Sequence, residues 1–283
     1  MDPVAWLTDN KIPLGRVIRD GVDWLNDHAA FVFYAISDGL GFVIDGVTDA
    51  LLWAHPLAIV AVFGALAWII HRERKLLALV VASFLLVINL GYWEETMETL
   101  SLVVFATALC MLIGVPLGVA AAHRPWLYQV LRPMLDLTQT IPTFVYLIPT
   151  LILFGLGVVP GLISTVIFAV AAPVRLTYLG VTSTPRQLIE AGESFGASEH
   201  QILWKVELPH ALPTIMAGLT QCIMLSLSMV VIAALVGAGG LGQPVVRALN
   251  TVNIAMGFEA GLAIVLLAVV LDRLCKQPKR ATR

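Results

Sequence analysis

The stretch Thr99–Ala122, "TLSLVVFATALCMLIGVPLGVAAA", decides the fold class of this chain. It runs for 24 residues without Asp, Glu, Lys, Arg or His. A bilayer-spanning α-helix needs about 20 mostly apolar residues, so the stretch predicts a transmembrane helix. Of the 283 residues, 59% are hydrophobic and 13% are charged, whereas soluble domains average about 25% charged residues. The chain is therefore predicted to be an all-α polytopic membrane protein.

Further apolar segments flank this stretch on both sides, and seven spans are predicted. They lie at roughly 55–71, 76–91, 99–122, 142–158, 161–181, 212–236 and 258–273. Residues 1–54 then form an N-terminal segment and residues 274–283 a tail. Between them, residues 55–273 form a transmembrane domain with a polar loop at 184–213.

The basic residues predict the orientation of the spans. One set of loops carries most of the Lys and Arg, namely Arg72, Arg74, Lys75, Arg124, Arg132, Arg186, Lys205, Arg273, Lys276, Lys279 and Arg280. The opposite loops carry Glu94, Glu95, Glu98 and one base, Arg247. The positive-inside rule therefore places the N-terminus outside, and the C-terminus, the tail and loop 184–213 in the cytoplasm.

The N-terminal segment differs from the spans. Residues 1–54 hold eight of the nineteen acidic residues. Asp38, Asp45 and Asp49 are spaced seven and four apart, which places them on one helical face. A carboxylate stripe disfavours a span, so an interfacial amphipathic helix on the outer surface is expected rather than an eighth span.

Local signals divide loop 184–213 into two short helices. Thr184 before a proline predicts an N-cap, and Gly196 predicts a left-handed end to the first helix. Ser198 and Gln201 form a capping-box pattern that opens the second helix. Pro209 is expected to end it. The two caps and the glycine favour a docking surface over a passive linker.

Two other function classes are weighed against the sequence. Gly192–Gly196 matches G-x-S-x-G, but a hydrolase elbow needs a strand before the serine, and Ser194 falls late in a predicted helix. An ion-coupled secondary transporter would need acidic residues in mid-span, and the apolar centres contain none. The three cysteines lack motif spacing, so neither a disulfide framework nor a metal site is predicted. A net charge of −2 argues against a nucleic-acid partner.

The polar loop resembles the EAA loop of ABC importer permeases. Glu190-Ala191-Gly192 is followed after three residues by Gly196, and after nine more by Val206-Glu207-Leu208-Pro209. The chain departs from that pattern at Gly192 for alanine and at Val206 for isoleucine. The resemblance implies a loop that docks on a cytoplasmic ABC ATPase through Glu190, Ala191, Gly192, Phe195, Gly196, Val206, Leu208 and Pro209.

Segments 135–157, 173–180, 212–221 and 227–243 resemble the permeases for glycine betaine, proline betaine, choline and carnitine. This implies a type I ABC importer transmembrane domain in the bacterial inner membrane, paired with a second permease copy. An extracytoplasmic binding protein would deliver the solute. The sequence has no G-x-x-x-x-G-K-[ST] motif, so ATP and Mg are expected on the separate ATPase and no cofactor on this chain.

Ionisable and aromatic residues near the fourth and fifth spans suggest a translocation path, and each has a simpler alternative. Asp136 and Arg175 either pair, or Arg175 extends to the cytoplasmic interface. A break at Pro142 either lines a cavity or is a plain kink. Aromatic rings either receive a quaternary ammonium group or simply pack. The candidates are Asp136, Thr140, Pro142, Phe144, Tyr146, Arg175 and Tyr178.

The segment "GAGGLGQ" lies at the outer end of the sixth predicted span. Its glycines predict either a gate that faces the binding protein or a flexible chain reversal. The candidate residues are Gly237, Gly239, Gly240, Gly242 and Gln243.

Overall fold

The computed structural model describes residues 13–276, and every regular element among them is helical. The helices are α1 (Leu14–Trp53), α2 (Pro56–His71), α3 (Arg74–Leu90), α4 (Trp93–His123), α5 (Pro125–Thr140), α6 (Phe144–Phe154), α7 (Val158–Ala169), α8 (Ala171–Thr182), α9 (Arg186–Ser194), α10 (Glu199–Ile202), α11 (Leu208–Ala234), α12 (Gly242–Thr251) and α13 (Ile254–Cys275). A π-helical turn, Leu203–Glu207, joins α10 to α11. The predicted all-α fold is confirmed.

Helices α4, α7, α8 and α11 form the centre of the bundle, with α8 packed against both α4 and α11. Small residues allow this close approach, as is usual where helices pack within a membrane. A Cβ added at Gly118 of α4 would lie 2.6 Å from the Thr177 Cβ and 2.7 Å from the Val174 carbonyl oxygen of α8. The glycine therefore sets the spacing between the two helices.

Helices α2, α3 and α13 form an outer layer around this centre. Arg72 has φ 53° and ends α2, so that α3 folds back against it. Helix α13 packs on both α3 and α11. Phe84 and Val80 of α3 are 1% and 0% exposed and belong to the largest apolar core, which also includes residues of α4, α11 and α13.

The seven predicted spans differ from the helices observed in the described residues. Five helical stretches are long and apolar enough to cross a bilayer, or six if the bent pair α5 and α6 counts as one span. The predicted span 142–158 is wrong as drawn, because α6 has 11 residues and lies at 97° to α5. The predicted spans 55–71 and 76–91 correspond to helices of 16 and 17 residues, at the short end of what crosses a bilayer.

Helix α1 is a single helix of 40 residues and begins well before the acidic stripe. It packs on α6 through Ser37, whose hydroxyl donates to the Phe154 carbonyl oxygen at 3.0 Å, and through an edge-to-face contact of Phe33 with the same phenylalanine. Asp38, Asp45 and Asp49 are all exposed. The helix also passes the length and hydropathy test for a span, so its interfacial placement stays a prediction.

Candidate coupling loop and translocation path

Helix α9 begins the polar insert on the predicted cytoplasmic side. The predicted N-cap at Thr184 is wrong, because Pro185 takes the extended N-cap conformation and no side chain caps the helix. Proline fixes its own φ and keeps extended backbone accessible, so the helix starts one residue later than predicted. The Thr184 hydroxyl is buried, and the described residues offer it no hydrogen-bond partner.

Gly196 ends α9 as predicted. Its φ is +76°, in the left-handed region that favours glycine. The Ala197 N–H donates to the Gly192 carbonyl oxygen at 3.0 Å, and the Gly196 N–H donates to the Glu193 carbonyl oxygen at 2.8 Å. These bonds satisfy carbonyl groups that the helix end leaves free, in the pattern of a Schellman motif.

The capping box at Ser198 is also confirmed. The Ser198 hydroxyl accepts from the Gln201 N–H at 3.4 Å, and the Gln201 side chain accepts from the Ser198 N–H at 2.9 Å. The helix that follows does not end at Pro209, so that prediction is wrong. The chain continues through α10, the π-helical turn and α11 as one helical stretch from Glu199 to Ala234.

The π-helical turn explains how the helix tolerates this proline. An interior proline lacks an N–H and clashes with the carbonyl oxygen four residues earlier. Here the Leu208 N–H donates to the Leu203 carbonyl oxygen, five residues back, so the backbone is wider just before Pro209. The second helix of the insert is therefore continuous with the membrane helix α11.

A hydrogen-bonded pair, formed by the exposed His123 and the buried Glu207, ties the π-helical turn to the end of α4. The His123 Nε2 lies 2.9 Å from the Glu207 Oε2, and Glu207 is 7% exposed. The His123 Nδ1 lies 3.0 Å from the Val119 carbonyl oxygen, which can only accept, so Nδ1 carries a proton. The sequence placed both residues at cytoplasmic ends of spans, but no spacing signal linked positions 84 residues apart.

The candidate coupling residues form an exposed surface around the α9–α10 joint. Phe195 is 93% exposed, and Leu188 on the same helix is 47% exposed. Gly192 instead faces α10, where an added Cβ would lie 3.5 Å from the Ile202 side chain, an ordinary contact. Glu190, Ala191, Gly196 and Pro209 are exposed, whereas Val206 and Leu208 are half-buried. The surface presents apolar groups that a partner protein could cover.

Ser194 has no catalytic surroundings in the structure. It is the last residue of α9, and its hydroxyl donates to the Glu190 carbonyl oxygen at 2.8 Å. A nucleophile elbow instead places serine on a sharp turn after a strand. The G-x-S-x-G match is therefore incidental.

Asp136 and Arg175 form a pair, which decides between the two alternatives for these residues. The Arg175 Nη2 donates to the Asp136 Oδ1 at 2.6 Å, and both side chains remain partly exposed. Tyr178, one turn further along α8, stacks on Tyr128 of α5 with ring centroids 3.6 Å apart and planes 2° apart. Helices α5 and α8 are thus joined by an ion pair and an aromatic stack, and Tyr128 was not predicted from sequence.

The break between α5 and α6 surrounds Pro142. At 97°, the bend is larger than a proline kink within one helix. The Tyr146 hydroxyl donates back across the bend to the Leu137 carbonyl oxygen at 3.3 Å and also to that of Thr138. Thr140 donates to the same Leu137 oxygen, and Phe144 is 56% exposed. Side-chain bonds to carbonyl oxygens in the last turn of α5 hold the bend, and the Leu137 oxygen also accepts from the Ile141 N–H.

The glycine-rich segment is a packed turn rather than a flexible reversal. The Gly240 N–H donates to the Glu98 carboxylate, and the Leu241 N–H donates to the Thr99 hydroxyl at 2.8 Å. A Cβ at Gly242 would overlap the Val230 backbone carbonyl group, which explains the need for glycine there. Gly240 and Gly242 are buried, whereas Gly237 and Gln243 are exposed. Sequence alone did not identify Glu98 as the anchor, because it lies 142 residues away.

Comparison with known proteins gives a consistent result. Residues 114–277 match the family described as "Binding-protein-dependent transport system inner membrane component". The chain is 42% identical to the glycine betaine/proline betaine transport system permease protein ProW of Escherichia coli, over 96% of this chain and 77% of that protein. It is also 42% identical to the glycine betaine transport system permease protein OpuAB of Bacillus subtilis, over 95% of each chain.

The fold agrees with these relatives. A chain of the inward-facing MetNI methionine ABC transporter superposes with a TM-score of 0.55 at 25% identity, over 62% of this chain and 88% of the other. The architecture is that of a type I ABC importer transmembrane domain, as the sequence predicted. The chain therefore belongs to the family of binding-protein-dependent transport system inner membrane components and is a multi-pass membrane permease.

Proposed function

We propose that this chain is the permease subunit of an ATP-driven importer for glycine betaine or a related quaternary ammonium solute. The observation that carries the ATP-driven part is the exposed α9–Gly196–α10 insert, whose second helix continues as one helical stretch into the membrane helix α11. A force applied to the insert would reach α11 and, through the Glu207–His123 pair, also α4. The names of the two similar permeases support the substrate class.

The energy source is a separate cytoplasmic ABC ATPase, which binds ATP and Mg. The sequence contains no P-loop motif that could hold nucleotide phosphates. The exposed Phe195 and the surrounding candidate coupling residues form the dock for that subunit. In this proposal the insert and the C-terminus lie in the cytoplasm and the N-terminus lies outside, as the distribution of basic residues predicts.

The solute passes between this chain and a second copy of it, after release from an extracytoplasmic binding protein. The packed turn Gly237–Gln243 is the candidate contact for the binding protein, since its fixed shape suits recognition. The candidate path residues around the Asp136–Arg175 pair lie partly exposed on one copy. Tyr128 covers one face of Tyr178, so that ring can offer a cation only its other face.

Uptake of radiolabelled glycine betaine tests the proposal. The chain, its ATPase and its binding protein would be produced in bacteria that lack their own betaine uptake. We expect uptake of the labelled betaine. Unlabelled proline betaine, choline or carnitine should inhibit this uptake to an extent set by the specificity of the binding protein. Inactivating the ATPase should abolish uptake, whereas Ser194→Ala should leave it intact. Uptake that persists with the inactive ATPase would instead indicate an ion-coupled transporter.

A further inference from the structure

A charged cleft of about 340 Å³ lies where the end of α2, the start of α3 and the end of α13 meet. Lys75, Arg273 and Lys276 line it, and His71 closes one side. The His71 Nε2 lies 3.3 Å from the Leu274 carbonyl oxygen, a contact that links α2 to α13 beside the cleft. None of these residues belongs to the coupling loop or to the candidate path.

The cleft carries an excess of positive charge. Lys276 is neutralised by Asp272, whose carboxylate oxygen lies 2.6 Å from its Nζ. Within residues 13–276, neither Lys75 nor Arg273 has a carboxylate within 4.0 Å. Glu73 is the one acidic residue that lines the cleft. Two cations are therefore available to an anion of matching size.

Helix α3 adds to this preference for an anion. It begins at Arg74, and its N-cap residue Glu73 makes no side-chain capping bond. The first N–H groups of the helix are thus left without a side-chain acceptor beside Lys75. A helix N-terminus favours negative charge, and phosphate groups in particular, because of its free N–H groups and its dipole.

The walls of the cleft distinguish a lipid from a free anion. Leu76, which directly follows Lys75, and Leu79, one turn further along α3, line it, and Leu79 is 37% exposed. Lys276 also borders a neighbouring groove of about 380 Å³ whose lining on α11 is mostly apolar, including Pro213 and Met216. A free phosphate gains nothing from apolar walls. A phospholipid carries its acyl chains on the same glycerol as its phosphate, so these chains can pack against such walls.

We propose that this cleft binds the phosphate headgroup of an anionic phospholipid, with Lys75 and Arg273 as its charged ligands. The acyl chains lie along Leu79 and the neighbouring groove. Basic residues at helix ends commonly extend to the headgroup region without selecting a lipid. The difference here is a bounded cleft that retains individual lipid molecules after the bulk membrane is removed.

Native mass spectrometry of the full-length chain in detergent tests this site. Phosphatidylglycerol or phosphatidylcholine would be added to the wild type and to the double variant Lys75→Gln/Arg273→Gln. We expect the wild type to retain phosphatidylglycerol in preference to phosphatidylcholine. The double variant should lose about fivefold in phosphatidylglycerol affinity for each charge removed. Equal affinity in the two proteins would overturn the proposal.

Two controls separate the site from general charge and from misfolding. Arg124→Gln/Arg132→Gln removes two exposed arginines at the same predicted side of the membrane, outside the cleft, and should leave lipid retention unchanged. Lys75→Arg/Arg273→Lys keeps both charges and should retain the lipid; loss equal to that of the Gln variant would contradict the charge argument. Binding of inorganic phosphate alone should not depend on Lys75 and Arg273. Phosphate binding that requires these two residues would assign the cleft to a free anion instead.

Discussion

Gly196 is the residue on which the shape of the coupling loop depends most directly. Its φ of +76° is accessible to glycine and, at moderate cost, to asparagine, whereas a β-branched residue is strongly disfavoured. An added Cβ would meet nothing within 4 Å in this chain. The requirement for glycine is therefore set either by backbone conformation or by the close approach of a partner.

A pair of substitutions separates these two causes. Gly196→Asn should retain most ATPase docking and uptake, because asparagine tolerates the left-handed conformation. Gly196→Val should destabilise the α9–α10 joint by about 1–2 kcal/mol and abolish uptake. Co-purification of the ATPase and betaine uptake measure both effects. If both variants lose the ATPase equally, steric contact with the partner is the cause and the conformational explanation fails.

Glu207 is the buried acid that joins the insert to α4. Glu207→Ala removes the acceptor of a charge-assisted hydrogen bond, so the free energy of unfolding should fall by about 1–3 kcal/mol. Glu207→Gln should cost less, since the amide can accept from the His123 Nε2–H or, where that nitrogen carries no proton, donate to it. Thermal unfolding in detergent measures this, with the exposed Glu193→Ala as control. An unchanged melting temperature in Glu207→Ala would show that the pair does not stabilise the joint.

At the scale of helices, the Asp136–Arg175 pair joins α5 to α8. Either the pair only holds these helices together, or its charges also contact the passing solute. A charge reversal distinguishes the two roles. Asp136→Asn and Arg175→Gln should each lower stability slightly, because each removes one partner of a close ion pair whose side chains are partly exposed. The swap Asp136→Arg/Arg175→Asp should recover stability if the pair holds the helices together. It should also recover uptake if the pair is only structural, but not if the charges contact the passing solute.

Thermal unfolding and betaine uptake of Asp136→Asn, Arg175→Gln and the double variant Asp136→Asn/Arg175→Gln give a double-mutant cycle, and the swap is measured beside them. The Tyr128–Tyr178 stack lies on the same two helices and provides a matched control. Tyr128→Phe keeps the stacked rings and should change neither measurement. A swap that fails to recover stability would contradict the structural role of the pair.

The helical elements that sequence predicted well are those fixed by neighbouring residues. The left-handed Gly196 and the Ser198 capping box depend on residues within five positions, and both are confirmed. The prediction at Pro209 was wrong because the energetic cost of a proline inside a helix depends on the turn before it. Here that turn is π-helical, and a π-helical turn has no local sequence signal. Contacts such as Glu98 with Gly240 join distant residues and follow only from the packing of whole helices.

For the whole molecule, the placement of α1 decides how many times the chain crosses the membrane. At 1.5 Å per residue its 40 residues extend for about 60 Å, twice the thickness of the hydrocarbon core. Phe33 and Ser37 face the bundle, since both contact Phe154, and so does Gly41, where an added Cβ would lie 3.8 Å from the Val159 side chain. The three aspartates of the acidic stripe lie about 100° around the helix from that face.

Those exposed carboxylates favour a position at the outer interface over a transmembrane one. A charged side chain that faces lipid at the bilayer centre costs about 2.5–3.5 kcal/mol even on scales that allow for relaxation. An α1 that spans the membrane would therefore need a partner for each aspartate, and within residues 13–276 none of the three forms an ion pair. We expect α1 to lie in the outer headgroup region with its acidic stripe facing water.

Cysteine labelling tests this placement in a chain whose three native cysteines are replaced by serine. Asp38→Cys, Asp45→Cys and Asp49→Cys should react with a membrane-impermeant thiol reagent added from outside. Val43→Cys and Val47→Cys, on another exposed face, should be protected by lipid. Ser194→Cys should react only from the cytoplasmic side. If α1 spans the membrane, protection will instead depend on depth along the helix, so that neighbouring positions react alike whichever face they occupy.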